Sequence, residues 1–454
     1  MERTHYAWPA TAEYNLLEIR DTPDVTSRLI SLQRRITTLN DCYIFGASTF
    51  EQLKNIYSRQ SPLPSQEIMR CGAFDHTMFT SIDTYCSQKF PIDVIKQGLL
   101  EDWGFEIHGI FPSHFSDIAA YLGYTDVQEV PFIYNKRVKK INYIRPKFFT
   151  CLNKHNERVF IVAVNSGKDY VMHYASMLKH IIGQLSVRAA ERLAVYRYPY
   201  AESSITAWTG LDEMIITPGD LVVTGYVEEL EAVLLKNAAF RLVGKHDTQF
   251  YSSRRFATKA GSIINLVGVK YSFWGCISAK LVTQLCRLGA REIIYVGKLG
   301  TLTQPQDIYQ RIFAPSRFFI MYHDQIVCHI KDLPNHFLAE HPALSTNAHV
   351  SVPTVVEEDY IQRSITSRLK FESIDNEISQ IAFAVARYNR DFRRQVSYTS
   401  LHFATDYIRR PHERGLEVKF DLSNNRTKEA FNNKVAILHQ IIEQLVPYLA
   451  KVEA

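Results

Sequence analysis

The chemistry-bearing stretch with the clearest setting is Gly297-Lys298-Leu299-Gly300, a lysine between glycines at the end of the apolar run Ile293-Ile294-Tyr295-Val296. An earlier β-branched run, Ile263 to Val269, reads as a buried strand. Between the two, Ala279, Val282, Leu285, Cys286 and Leu288 recur at helical spacing. Gly289 then stands where a helix C-cap wants a residue with positive φ. Strand, helix and strand with so short a return predict a right-handed βαβ unit of a parallel sheet. Ligands sit beyond the carboxyl ends of such strands, so Gly297 to Gly300 is where a substrate is expected.

Other stretches carry reactive side chains in weaker settings. Asp375 and Glu377 flank the start of a helical pattern, where carboxylates stabilise a helix N-terminus as readily as they serve a ligand. Cys71 to Cys86 (CGAFDHTMFTSIDTYC) offers a thiol beside His76. Nucleophile and base in Cys–His sites are usually remote in sequence, so an ordinary packed loop is expected there. Asn165-Ser166-Gly167-Lys168 follows a strand, but a phosphate loop needs an earlier glycine and a Ser or Thr after the lysine, where Asp169 stands. His323, His329, His336, His341 and His349 match no metal-ligand spacing and are expected as loop histidines in an irregular stretch, Arg317 to His349. Tyr134 to Lys147 sets basic residues between aromatics, a composition that touches phosphate or nucleic acid; a solvated connector at a domain boundary is expected instead. No metal and no cofactor is called for.

Length and composition bound the rest. A chain of 454 residues favours two domains, here 1–150 and 151–454, with the second unit's core at about 218–450. A hydrophobic content of 46% is ample for packed cores. The net charge of +5 is mild and no basic tract favours nucleic acid. The seven cysteines are scattered without a CxxC pair, and no apolar run has the length of a membrane span. A cytoplasmic, reducing setting is the expectation. Helical periods are read at Arg28–Leu39, Phe50–Tyr57, Phe90–Leu100, Phe115–Leu122 and Tyr170–Gln184. Strands are read at Val159–Val164 and Asp220–Gly225, the latter followed by a helix from Val227 to Leu235.

Three stretches in order carry a family resemblance. Arg287 to Leu302 (RLGAREIIYVGKLGTL) resembles the "RLGAKxxIRVGTCGAL" segment of the purine nucleoside phosphorylase, uridine phosphorylase and methylthioadenosine nucleosidase superfamily. Glu372 to Ala382 (ESIDNEISQIA) is similar to its "VEMEAAALF" segment, and Ser400 to Tyr407 (SLHFATDY) to its last-strand "xxxSD" motif. Ile312 to Ser316 resembles the family's "VIPT" strand end, and Thr427 to Leu449 its closing helix, amphipathic through Phe431, Val435, Leu438, Ile442, Leu445 and Leu449. The resemblance covers about half the chain; the N-terminal region resembles no family.

The fold so implied is α/β: a phosphorylase-like mixed central sheet flanked by helices, with an additional N-terminal α+β region. The carried-over roles are specific. Glu377 would accept hydrogen bonds from the ribose diol, since two carboxylate oxygens can take both O–H donors. Asn376 would fall under the sugar, and Asp375 is the candidate for activating water. Asp406 would protonate the departing purine if burial raises its pKa toward neutrality. Thr405 replaces the usual serine, and Arg409, Arg410 or Arg426 would pair with Asp406. Gly225, Gly297, Lys298 and Gly300 would line the pocket, Lys298 holding a 5′-phosphate or a carboxylate.

The phosphate site departs from the family. The family's arginine before "VG" is Tyr295 here, its serine or threonine is Lys298, and its first-helix arginine falls among Glu228 and Glu229. Losing charge-assisted bonds of about 1.5–3 kcal/mol each disfavours phosphorolysis. The expected activity is therefore hydrolysis of the N-glycosidic bond of a purine-type nucleoside or nucleotide. The alternatives are a non-catalytic nucleoside sensor or a phosphorylase with a rebuilt phosphate site. The resemblance also implies a homo-oligomer, while the lack of a basic tract and of a long apolar run leads to the expectation of no nucleic-acid or membrane partner.

Overall fold

The structure, a computed structural model, describes residues 50–58, 62–63, 82–132, 145–322, 324–421 and 427–452. Outside these lie the helix read at Arg28–Leu39, Cys71 with His76, most of Tyr134–Lys147, His323 and Arg426.

The N-terminal half builds a five-stranded sheet from β1 (Gly104–His108), β2 (Thr125–Val130), β3 (Lys147–Leu152), β4 (Arg158–Ala163) and β5 (Ala194–Tyr196), in the order β2-β3-β4-β1-β5. β1 runs parallel to β4 and β5, while β2, β3 and β4 pair antiparallel. The boundary near residue 150 falls inside β3, whose register with β4 runs from Lys147↔Ala163 to Leu152↔Arg158. Helix α1 (Lys168–Leu185) leaves β4 through the Asn165–Gly167 turn and buries Val171, Ala175, Leu178 and Ile182 against this sheet.

The second sheet has ten strands: β6 (Leu221–Gly225), β7 (Phe240–Asp247), β8 (Tyr251–Thr258), β9 (Ile263–Val269), β10 (Glu292–Thr301), β11 (Ile312–Tyr322), β12 (Gln325–Ile330), β13 (Ser345–Ser351), β14 (Ser373–Asp375) and β15 (Ser397–Tyr407). Helix α2 (Cys276–Leu288) joins β9 to β10 and ends at Gly289, left-handed with φ 116. β9 and β10 both run parallel to β6, which lies between them. Helices α3 (Tyr360–Arg368) and α4 (Ile378–Phe392) flank β14, and α5 (Lys428–Lys451) closes the chain, N-capped by Thr427. A mixed central sheet flanked by helices, with a separate N-terminal α/β region, is the architecture.

Part of this sheet closes on itself. β10 pairs with β15, β15 with β11, β11 with β13, β13 with β14, and β14 again with β10. Closure accounts for two departures from the sequence reading. β10 does not stop at Gly297; it continues to Thr301, because β15 supplies partners along its whole length. The stretch Arg317–His349, expected to be irregular, is largely strand. Ile312–Ser316 opens an eleven-residue strand rather than ending one.

In α5 the buried face runs through Ile437, Leu438, Ile441, Ile442, Leu445 and Leu449, whereas Phe431, expected on it, is 62% exposed. Phe431 occupies the first turn, before the helix reaches the sheet.

The two sheets share one core. Phe111, just after β1, is fully buried and meets the rings of Trp208, Phe250 and Tyr271, with centroids 4.7, 5.2 and 6.0 Å away. Phe111→Ala should cost about 3–5 kcal/mol and shift a single unfolding transition in urea, followed by both fluorescence and circular dichroism. Two transitions, only one of them displaced, would show that the halves unfold separately.

Candidate functional site

The β10–β15 register places the central acid. Gly297 faces His402, Lys298 faces Phe403, Leu299 faces Ala404, and then Gly300 faces Asp406, so Thr405 is an extra residue in β15. Side chains alternate faces along a strand, so without the bulge Asp406 would share the side of His402 and Ala404. The bulge moves it opposite Gly300, on the side of Lys298. Gly300 has to lack a side chain, because a Cβ there would stand 2.9 Å from Asp406 Oδ2. Gly297 likewise makes room for His402, whose Nε2 would lie 2.5 Å from an added Cβ.

Lys298, Glu377 and Asp406 each interrupt a buried stretch as the residue that reaches solvent. Burial pushes the Asp406 carboxyl up to about 6, against the opposing pull of the Lys298 charge. Thr405 Oγ1 donates to Asp406 Oδ1 at 2.6 Å. Burial and the adjacent Asp375 push Glu377 well above the usual carboxylate range, and Lys298 opposes that shift too. The Lys298 ammonium therefore acts on two acids that lie 29 residues apart in sequence.

Asp375 behaves differently. Burial favours its neutral form, but the hydrogen-bonded His349 and Ser351 outweigh burial and hold it below the ordinary range. Its Oδ1 lies 2.7 Å from His349 Nε2 and accepts from Ser351 Oγ at 2.6 Å. Both oxygens also accept from Ile378 N, at 3.1 and 2.9 Å, so Asp375 caps α4. Glu377, at the N-cap position itself, makes no capping bond. Of the two acids at this helix start, Asp375 serves the helix and Glu377 does not.

His349 was expected in a loop; it is fully buried in β13, with Ser373 Oγ 2.9 Å from its Nδ1. His329 stacks on Phe319, His341 on Phe337, and His336 lies 3.8 Å from Glu292. Gly225, with φ 98, closes tightly on β10, where a Cβ would meet Val296 O at 1.9 Å. Asn376 donates through Nδ2 to Val352 O at 2.7 Å. Arg409, a candidate partner of Asp406, is ion-paired with Asp421 at 2.9 Å, and its charge also acts to lower the Asp406 pKa.

Three further side chains shape the site, and sequence reasoning passed over two of them, His402 and Glu358. Tyr295 packs edge-on against His402 with centroids 4.6 Å apart, so the tyrosine that stands for an arginine fills space rather than carrying charge. His402 is buried and held neutral, its pKa pushed down to about 3 by burial, with Ser400 Oγ 2.9 Å from Nδ1 and no partner at Nε2. Glu358 is the third. It is 4% exposed, and burial followed by the charges of Asp406 and Asp375 drives its pKa well up. The signal was the acidic triplet Glu357-Glu358-Asp359 ahead of α3, of which only Asp359 caps the helix.

The loop that carries Glu358 is tied to the N-terminal half. Trp274 Nε1 donates to Pro353 O at 2.8 Å, and the Thr354 hydroxyl lies 2.6 Å from His173 Nδ1 on α1. The Asn165–Lys168 turn holds no phosphate cradle; it leads into Asp169, whose Oδ2 accepts from Cys276 N at 2.7 Å and caps α2.

No family model matches the chain. A curated protein named "Oxidoreductase cns1", from Cordyceps militaris, is 31% identical over 388 residues, covering 81% of this chain and 48% of that protein. The chain thus spans about half the length of this relative. Among solved structures, 5′-methylthioadenosine/S-adenosylhomocysteine nucleosidase from Helicobacter pylori is 13% identical with TM-score 0.35, covering 50% of this chain and all of that one. Purine nucleoside phosphorylase from Toxoplasma gondii gives 13% and 0.35 over 50% and 92% of the two chains. Futalosine hydrolase of Helicobacter pylori gives 12% and 0.35 over 51% and 100%. At these scores the superpositions carry no weight, and the site is read from its own geometry. Among the described residues no helix is long and apolar enough to cross a membrane.

The Asp406 shift has a stability consequence. A carboxyl raised from 3.8 to about 6 binds more protons folded than unfolded between those values. Its contribution is full below the unfolded pKa and is lost as pH rises through about 6. Urea titrations of wild type and Asp406→Asn between pH 4 and 7 should therefore diverge, the wild type losing stability relative to the variant as pH rises. Parallel curves would mean that Asp406 titrates normally.

Proposed function

We propose that this chain cleaves the N-glycosidic bond of a purine-type nucleoside or nucleotide by hydrolysis. The observation that carries the reading is the convergence of Lys298, Glu377 and Asp406, the solvent-reaching residues of three buried stretches, with one ammonium acting on both acids. In this reading the protonated Asp406, poised near neutrality, gives its proton to the departing base. The base then leaves neutral, and the bond between its nitrogen and the anomeric carbon breaks with its electron pair going to the base. Water adds to the resulting oxocarbenium carbon, and the proton it loses returns through solvent to the Asp406 carboxylate, restoring the acid for the next turnover.

Glu377 accepts from the sugar diol in its ionised form, which Lys298 favours against burial and Asp375. The sequence nominated Asp375 to take the proton from water. Its oxygens are occupied by His349, Ser351 and Ile378 N and its pKa is held low, so it fits better as a fixed anion that stabilises the oxocarbenium charge and orients Glu377. Hydrolysis is preferred to phosphorolysis because the position of the phosphate-binding arginine is filled by the buried Tyr295. The name of the Cordyceps protein points elsewhere, but this chain contains no Gly-x-Gly of a dinucleotide fingerprint and matches only half of that protein.

Nucleosides and nucleoside monophosphates incubated with the protein, with and without phosphate, should release free purine in both conditions. Asp406→Asn should lower the rate by about 10²–10⁴-fold while leaving the circular dichroism spectrum unchanged. Release only with phosphate would restore phosphorolysis, and binding without release would favour a sensor.

A further inference from the structure

A recess lies where β10 and β15 run out and β14 begins, and Lys298, Glu377 and Asp406 are not among its lining residues. Its volume is about 490 Å³, and its wall includes Arg311, Arg363, Lys370 and Arg410 against a single carboxylate, Glu372. Four cations around one acid is an unusual lining for a recess that nothing above assigns.

The cations are held in different ways. Arg311 is compensated, with Nη2 2.6 Å from Glu372 Oε2. Arg363 has no carboxylate in hydrogen-bond contact. It is 2% exposed, and its three nitrogens donate to neutral acceptors: Nε to Ile408 O at 2.8 Å, Nη1 to Ser367 Oγ at 2.5 Å and Nη2 to Leu302 O at 2.6 Å. These bonds fix the guanidinium; burial lowers its pKa and the Arg410 charge adds to that, while Tyr407 and the Glu413 charge act the other way. Arg410 reaches Thr303 O only at 3.4 Å, and its Nε is buried with no acceptor. Two guanidiniums thus sit close enough to repel, with the Glu413 carboxylate acting on both.

Lys370 adds a conformational clue. It follows α3 in the left-handed region, φ 56, a position glycine fills most easily, yet it carries an exposed ammonium beside the recess. Leu302 and Phe371, both buried, give the same wall an apolar side.

We propose that this recess binds a phosphate monoester. The dianion would accept from the outer face of the Arg410 guanidinium and from the Lys370 ammonium, with the fixed charge of Arg363 behind them, and compensate the excess positive charge. The space and the apolar wall take the organic body, which a bare phosphate would leave unfilled. The site is independent of the glycosidic reading, because none of its residues belongs to the Lys298–Glu377–Asp406 cluster.

The test is calorimetric titration of the full chain at low ionic strength with ribose 5-phosphate and with inorganic phosphate, using chloride as the ionic-strength control. The ester should bind, and Lys370→Gln and Arg410→Gln should each weaken it at least tenfold. Lys370 is exposed, so its variant does not risk the fold. Lys298→Gln should leave this affinity unchanged. No heat with either phosphate compound, or equal affinity in the Lys370 and Arg410 variants, overturns the proposal. So does loss of binding in Lys298→Gln alone, which would place the ligand at the other site.

Discussion

The bulge in β15 at Thr405 is the constraint on which the site depends. A parallel ladder that kept strict alternation would turn Asp406 to the side of His402, away from Lys298. One extra residue reverses that, and the glycine opposite is what lets the carboxyl lie down over the strand. The ring of β10, β15, β11, β13 and β14 then holds the arrangement, with β15 paired to β10 along its length and to β11 at His402 and Phe403, just before the bulge.

Gathering carboxyl groups in a buried place is electrostatically costly, and each acid meets the cost in its own way. Asp375 stays ionised because His349, Ser351 and a helix N-terminus stabilise its negative charge. Burial and neighbouring carboxylates drive Glu377 and Glu358 toward the neutral form, and Asp406 falls between because Lys298 offsets part of its burial. Neighbouring groups pushed apart in pKa are what acid–base work requires, and here local packing separates them.

Elements with a clean period were legible in the sequence. Ile263–Val269 and the helix ending at Gly289 emerged where expected, as did the strand from Leu221 and the helix after Asp375. Residues whose meaning depends on ring closure were not. His349 lies in Ser-Thr-Asn-Ala-His-Val-Ser, a run too polar to read as a strand, and it is buried because both neighbours of β13 are strands of the closed ring. The continuation of β10 past Gly297 was hidden for the same reason: glycine usually ends strands, but here it admits the ring of His402. Glu358 drew no reading at all, one acid among three of which Asp359 is the cap. The family pattern indicated which acids to examine; it did not indicate the partners that set their ionisation.

The N-terminal half resembled no family, yet the site is not separable from it. Glu358 sits on a loop whose start is gripped by Trp274 and His173, and His173 belongs to the helix that leaves the N-terminal sheet. Burial holds that histidine neutral, its pKa pushed down to about 3, so the contact with Thr354 is between uncharged groups and does not loosen over the physiological pH range. Asp169, on the first turn of the same helix, caps α2. One helix therefore anchors both the loop bearing an acid of the cleft and the helix that feeds β10. A displacement of the N-terminal sheet would reach Glu358 through the loop and Lys298 through α2, so the two halves constrain the cleft together.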